Sequence, residues 1–463
     1  MKILMAASEM SPFAGTGEFA DEMLELSSHL GEAGHEVTFV LPYYRCIREE
    51  KSHKAKRTKM KFSLPVGPAK LTAEVFEARA RGGVQALFVA RDEFFDRSGL
   101  YGAEGRDYQD NSARFIFFTK CAVEIARRLS PDVLHVHGWQ TALAPMFVRN
   151  QQMPQVTILS PHSLEYQGNF WSYDFALTNL PGDDFSARGL EFFGSMNCLK
   201  GGILSADSVV LPSRRFVSEM QTPAFGCGLE NVLREQRDKL EGIPDGLKES
   251  GWPVVPPEEK SRARDELLVQ AGLEPGGRVF LADASATRGA GMDILLEVLD
   301  RLPSEEIRVL LLGPVADSMR MELGIALRRH AGRFANITPG NAEILRSALS
   351  GSDFLLLPGP VEPGGELLML AMRSGVIPIA AHCGGLRQLV QDFDPVTRQG
   401  NGYVFYGIST GGLRDAIHRA IRSDDMASLV LAARSTDCSW AASAKRHEEL
   451  YRRLLAERGR LTS

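Results

Sequence analysis

Cysteine is scarce and scattered: Cys46, Cys121, Cys198, Cys227, Cys383 and Cys438, with no CxxC spacing among them. That excludes a cysteine metal site and a disulfide framework. No apolar run approaches the roughly 18 residues that a membrane span requires, so a membrane is not an expected partner. Excess positive charge is missing too, and a formal net charge of -5 argues against nucleic acid as a partner. Repeats and low-complexity tracts are absent, which excludes a solenoid or a disordered linker protein. The opening stretch Met1 to Ala7 has too little apolar length for a secretory signal and reads as a first strand. A reducing cytoplasm is therefore the expected compartment.

What is present is ordinary globular composition, 44% apolar and 24% charged, in 463 residues. A chain of that length exceeds one growing core, and two domains of roughly 200 residues are expected. Short apolar runs alternate with amphipathic ones. Ile3 to Met5, Val37 to Leu41, Ala86 to Val89, Val133 to Val136 and Val156 to Leu159 read as strands. Between the first two, Phe19, Met23, Leu26, Leu30 and Ala33 form a helical stripe that ends at Gly34. Strand, helix, strand in that order predicts right-handed crossovers and a mostly parallel sheet.

The pattern breaks at the proline-rich stretch Gly251 to Pro257 and then restarts. Val279 to Ala282, Ile307 to Leu312, Phe354 to Leu357 and Val376 to Ala380 are the next strands, and a helix is expected over Leu367 to Arg373. The economical fold class is α/β, two Rossmann-like doubly wound domains facing a cleft. The expected divisions are 1–250, 251–438 and a C-terminal helical segment 439–463. The basic run Lys51 to Lys61 reads as a solvated loop or edge strand, with contact to an anionic ligand or surface polymer as the alternative. Nothing in the chain bears on oligomeric state.

Two strand-to-helix turns and one carboxylate carry the chemistry. Gly15 and Gly17 follow the first strand and open the first helix, whose start exposes unpaired amides. The same glycines fit a merely compact turn, and Glu18 places a negative charge where a bound diphosphate would lie. Glu362 falls just beyond the strand Phe354 to Leu357, at the carboxyl end where open α/β sheets hold ligands. It could equally cap the helix that follows. Gly384 and Gly385 form a second turn able to receive an anion, or an ordinary tight turn.

Longer segments make a resemblance specific. Ser8 to Phe13, Asp107 to Phe115, His135 to Gln140, His162 to Phe170, Phe225 to Glu230, Gly242 to Gly246, Glu362-Pro363 and Gly384 to Leu386 are similar to the starch synthase and bacterial glycogen synthase family. The resemblance spans nearly the whole chain. It implies a GT-B fold with the last helix crossing back to the first domain. It also implies retaining transfer of glucose from ADP-glucose, a nucleotide sugar, to the non-reducing end of an α-1,4-glucan, without a metal or cofactor. By the same resemblance His162 and Glu362 are catalytic, His162 positioning glucose and Glu362 stabilising it as it reacts. Gly15, Gly17, Gly384, Gly385 and Arg288 would meet the donor and its phosphates. Trp139, Tyr166 and Gln167 would meet sugar or acceptor. His162 also fits a buried histidine holding loop backbone, and Tyr108, Asp110, Asn111 and Arg114 read first as structural anchors.

Departures from the family pattern concentrate on charge. The lysine of its first turn aligns with Gly15, and its second glycine with Glu18. The aspartate of His-Asp-Trp aligns with Gly138. The donor-site arginine and lysine align with Ser285 and Ala290, leaving Arg288 as a partial substitute. Cys383 replaces a threonine, and Glu366 adds an acid. A charge-assisted hydrogen bond to phosphate contributes roughly 1.5–3 kcal/mol. Losing three cations without compensation would therefore cost on the order of 5 kcal/mol, several thousandfold in rate. Two alternatives follow: an impaired relative that binds glucan or regulates a synthase, and a transferase with a different donor or acceptor.

Overall fold

The computed structural model describes the chain except residues 224, 248–253, 284–289, 304–305, 314, 316–318, 339–341, 360–365, 383–388 and 460–463. It divides into two compact units, Met1–Gly246 with Trp440–Ser463, and Leu247–Ser439.

In the first unit the apolar runs become strands β1 (Lys2–Ala6), β2 (Glu36–Pro42), β5 (Gln85–Ala90), β6 (Val133–His137), β7 (Val156–Ser160), β8 (Ser208–Leu211) and β9 (Leu240–Gly242). Between β2 and β5 lies a hairpin, β3 (Lys56–Val66) and β4 (Ala69–Arg79). The nine-stranded sheet runs β9-β8-β7-β6-β1-β2-β5-β4-β3. Its body is parallel, with Met5 opposite both Phe39 and His135. Strands β5, β4 and β3 pair antiparallel. The basic run ends in β3, the sheet's edge, where charged side chains discourage pairing with another chain. Lys61 reaches Glu74 of β4 at 3.0 Å across the hairpin.

Helix α1 (Glu18–Glu32) buries Ala20, Met23, Leu26 and Leu30 and stops before Gly34, whose φ of 88° suits glycine at a helix end. Helix α2 (Asn111–Leu129) begins at the Asp-Tyr-x-Asp-Asn string. Asp110 precedes it but makes no capping bond; its carboxylate pairs with Arg97 at 2.6 Å. The fully buried Arg114 donates to the Phe94 and Leu100 carbonyls and to Asn111. These residues brace loops, as structural anchors do. The C-terminal helix, Trp440–Glu457, belongs to this first unit, with Trp440, His447 and Tyr451 buried in it.

The second unit carries one parallel sheet. Its strands are β10 (Arg278–Asp283), β11 (Ile307–Leu312), β12 (Phe334–Ile337), β13 (Phe354–Leu357), β14 (Ile377–Ala381) and β15 (Tyr403–Phe405), ordered β12-β11-β10-β13-β14-β15. Strands β11, β13 and β14 are buried along their whole length. That explains their largely apolar sequence, as expected for a sheet covered on both faces, with Arg308 of β11 the charged exception, donating to the Glu274 and Pro275 carbonyls. Both sheets reverse direction once, between β6 and β1 and between β10 and β13, the places where such folds bind ligands. Among the described residues no helix is long and apolar enough to cross a membrane.

Candidate functional site

The reversal in the first unit opens into a cavity of about 600 Å³. Residues following β1 (Glu9, Thr16, Glu18, Phe19, Glu22), β6 (Gly138, Trp139, Gln140) and β7 (Pro161, His162, Ser163, Tyr166) line it, joined by Tyr101, Asp107 and Asn111. Among the described residues the lining holds four carboxylates and four aromatic side chains, and no lysine or arginine. Carboxylates accept hydroxyl protons and repel phosphate, while aromatic faces suit the apolar faces of sugar rings. Such a lining suits a hydroxyl-bearing ligand better than an anion.

The first glycine turn is organised by Glu9. Its buried carboxylate accepts from the Thr16 amide at 2.6 Å, from the Thr16 hydroxyl at 3.0 Å and from the Tyr101 hydroxyl. The turn thus binds the chain's own anion. Gly15 is required by closeness, since a Cβ there would sit 2.5 Å from that of Ala20. A Cβ on Gly17 would meet nothing, and Gly17 caps α1 without a side-chain bond. Glu18 and Asp21 in the first helical turn complement the positive helix end.

His162 stands on the loop after β7 in the left-handed region, φ 59°. This conformation is costly for a residue with a Cβ and marks a position held by its surroundings. Its Nδ1 lies 3.2 Å from the Glu22 carboxylate and its Nε2 lies 3.1 Å from His137 Nδ1. Phe19 meets the ring edge-on at 4.8 Å. Both ring nitrogens are thus engaged by protein, and the ring still faces the cavity. Behind it are three buried histidines. Burial pushes His135 and His137 well below the ordinary histidine range and lowers His447 to about 4. Partly buried Asp245 is pushed the other way, to about 7, by loss of hydration and by the Glu22 carboxylate, with His162 opposing.

Of the residues singled out in the sequence, His162, Trp139 and Tyr166 meet at this cavity. Trp139 packs edge-on against Phe115 and Phe170, and Tyr166 is 71% exposed, free to move onto a ligand. Gln167 does not reach the cavity. It is buried, donates to the Leu164 and Cys227 carbonyls at 2.8 and 2.9 Å, and accepts from Asn197 at 2.6 Å. Both of its amide hydrogens are taken by backbone, and it holds the loop that carries Tyr166. Gly138 has φ 72°, and a Cβ there would lie 2.7 Å from the Gln140 side chain. The backbone here suits glycine, at the position where the resemblance implies aspartate.

Glu362, Gly384, Gly385 and Arg288 lie outside the described residues, as do Ser285 and Cys383. In the chain they follow β13, β14 and β10; β10 and β13 flank the second reversal, and β14 is the next strand out. Glu9, Glu22, His137 and Asp245 are residues that pattern reading missed. Glu9, His137 and Asp245 lay within motifs that carried the resemblance, but nothing in those motifs signalled a role for them, and Glu22 lay outside every motif. Among the described residues no group of three or more histidine, cysteine, aspartate or glutamate side chains is placed to hold a metal ion.

The starch synthase catalytic domain model matches residues 2–235. Glycogen synthase 2 of Geobacter sulfurreducens is 33% identical, with 98% of each chain covered. Glycogen synthase of Opitutus terrae is 34% identical over 98% of this chain and 99% of its own. Among solved structures, the catalytic domain of starch synthase IV from Arabidopsis thaliana, bound to ADP and acarbose, superposes with a TM-score of 0.74 at 24% identity, covering 98% and 99%. Sucrose-phosphate synthase from Thermosynechococcus elongatus shares the fold more distantly, with a TM-score of 0.57 at 16% identity and coverage of 98% and 99%.

Proposed function

The chain belongs to the starch synthase and bacterial glycogen synthase family, and we propose that it transfers glucose from ADP-glucose to the non-reducing end of an α-1,4-glucan with retention of configuration. The observation that carries this reading is the acidic, aromatic cavity at the first sheet's reversal, with His162 on its wall. A glucan is uncharged and hydroxyl-rich, and the lining matches that chemistry. In this reading Trp139 and Tyr166 supply stacking faces, and Asp107, Glu18 and Glu22 are acceptors for sugar hydroxyls.

The donor half rests on Glu362 and the Gly384-Gly385 turn. Retaining transfer builds positive charge on glucose and negative charge on the departing diphosphate. Glu362 answers the first. Free amides of the glycine turn and the Arg288 guanidinium answer the second in place of the family's arginine and lysine. The reaction proposed calls on no metal or cofactor and takes place in the cytoplasm.

The test is glucose incorporation into glycogen from ADP-glucose by purified protein, followed as ADP release, with Glu362→Gln as the control. Release that depends on Glu362 and survives EDTA supports the reading. Folded protein that releases no ADP above the control overturns it, in favour of a glucan-binding relative or a different donor.

A further inference from the structure

The hydrogen bonds around His162 have only one consistent direction when its ring is neutral. A carboxylate accepts and cannot donate, so the His162 Nδ1 facing Glu22 carries the proton. Its Nε2 is then a lone pair, and His137 Nδ1 must donate to it across 3.1 Å. His137 is fully buried and held neutral, so its own Nε2 is a lone pair as well. That atom is buried and has no partner in the protein. An acceptor left so costs about 1–3 kcal/mol.

His137 lines a second cavity, of about 20 Å³, with Ser160, Asp245 and His447 among its walls. That space accommodates one water. A water there donates to His137 Nε2 and takes its own partners from the walls. The Ser160 hydroxyl pairs with His135 at 2.8 Å. His447 is neutral and gives its Nδ1 proton to the Ser443 carbonyl at 3.0 Å, which leaves its other nitrogen a lone pair. Asp245 shares the same space, and burial and the Glu22 carboxylate raise its value to about 7.

We propose that Asp245, one water, His137 and His162 form a proton relay ending at Glu22, in which Asp245 is the internal proton store that charges His162 at the wall of the sugar cavity. The transfer conserves atoms and charge. The Asp245 O–H breaks as the water takes its proton and passes another to His137 Nε2. The His137 Nδ1–H breaks as His162 Nε2–H forms. Asp245 ends as a carboxylate and His162 as an imidazolium paired with Glu22, while His137 is neutral before and after and has only changed tautomer. His137, Asp245 and Glu22 are positioning residues, and the role of this charge in transfer rests on the function proposed above.

The relay has a signature that packing alone does not produce. The experiment is ring-nitrogen NMR of the full chain labelled with 15N-histidine, from pH 4 to 9, for wild type, Asp245→Asn and Glu22→Gln. Groups facing the two rings are Glu22 on α1, His135 on β6, His447 on the C-terminal helix and Asp245. In wild type, His137 is expected to change from the Nδ1–H to the Nε2–H tautomer in step with His162 gaining charge, without becoming an imidazolium. Asp245→Asn is expected to move the His162 midpoint to lower pH. Glu22→Gln keeps an acceptor for Nδ1 and lowers the midpoint too, with the His137 switch intact; this second variant carries the test if Asp245→Asn fails to fold. A single His137 tautomer throughout, a charged His137, or a midpoint indifferent to both substitutions would overturn the relay. No donor, glucan or turnover enters these readings, so their failure is distinct from failure of the proposed function.

Discussion

Beyond β1 in the first unit, Glu9, Glu18 and Glu22 bring carboxylates to the sheet reversal and no cation accompanies them. In the second, the sequence after β10 carries Ser285, Arg288 and Ala290, and that after β13 carries Glu362; the family resemblance implies an arginine at Ser285 and a lysine at Ala290. One doubly wound plan thus serves two charge problems. Under the proposed function, a sugar cavity tolerates acids because its ligand is neutral, whereas a diphosphate site depends on donors. The comparison teaches that the first unit's acidic lining suits a sugar, and that the proposed function asks the second to hold phosphate with few fixed cations.

The largest expected effect breaks the second half of that comparison. Glu362→Gln should lower turnover about a hundredfold or more, as removal of a transition-state charge partner does, with little change in melting temperature. Turnover equal to wild type would remove Glu362 from the chemistry. The combined Ser285→Arg and Ala290→Lys variant should tighten ADP-glucose binding. At roughly 1.5 kcal/mol for each restored contact the gain is somewhat over a hundredfold, read by calorimetry. Unchanged affinity would mean that the donor phosphates are held by other groups.

The first unit sharpens the comparison through pH. His447 has a folded value near 4 against 6.5 when unfolded, so below pH 6.5 the unfolded chain binds its proton first. Stability contributed by neutral His447 is complete above pH 6.5 and is lost as pH falls to about 4, on the order of 3 kcal/mol. His135 and His137 act in the same direction. Asp245 acts oppositely: its folded value is raised from 3.8 to about 7, so it favours the folded state as pH falls through that window. Asp245→Asn should therefore steepen the acid loss, measured by urea denaturation at stepped pH. An unchanged slope would show that Asp245 does not hold its proton in the folded state.

The smallest effect concerns Gly138. Returning aspartate there restores the family residue but forces a side chain into φ 72° against Gln140. Gly138→Asp should cost about 1–3 kcal/mol of stability and restore no activity. A neutral melting temperature would mean that the loop relaxes freely.

The strands and the α/β class were legible because parallel strands buried on both faces are unbroken apolar runs, such as Phe354 to Leu357. The hairpin β3–β4 was harder, since alternating charged residues on an edge fit a solvated loop equally well. His162, Trp139 and Tyr166 were legible through one motif each. Gln167, in the same string, was read toward sugar and is instead buried against the backbone, a distinction no linear pattern contains.

The amino-acid sequence by itself determined the periodicities that make these sheets, the family, and the replacement of cations at Ser285 and Ala290, because each is a property of residues near one another in the chain. Only the tertiary structure decided that Glu9 fills the first glycine turn, and that Glu22, His137, His162 and Asp245 come from four segments to one point. Hydrogen-bond direction and proton affinity depend on distances of about 3 Å and on exclusion of water. Neither exists until the chain has folded.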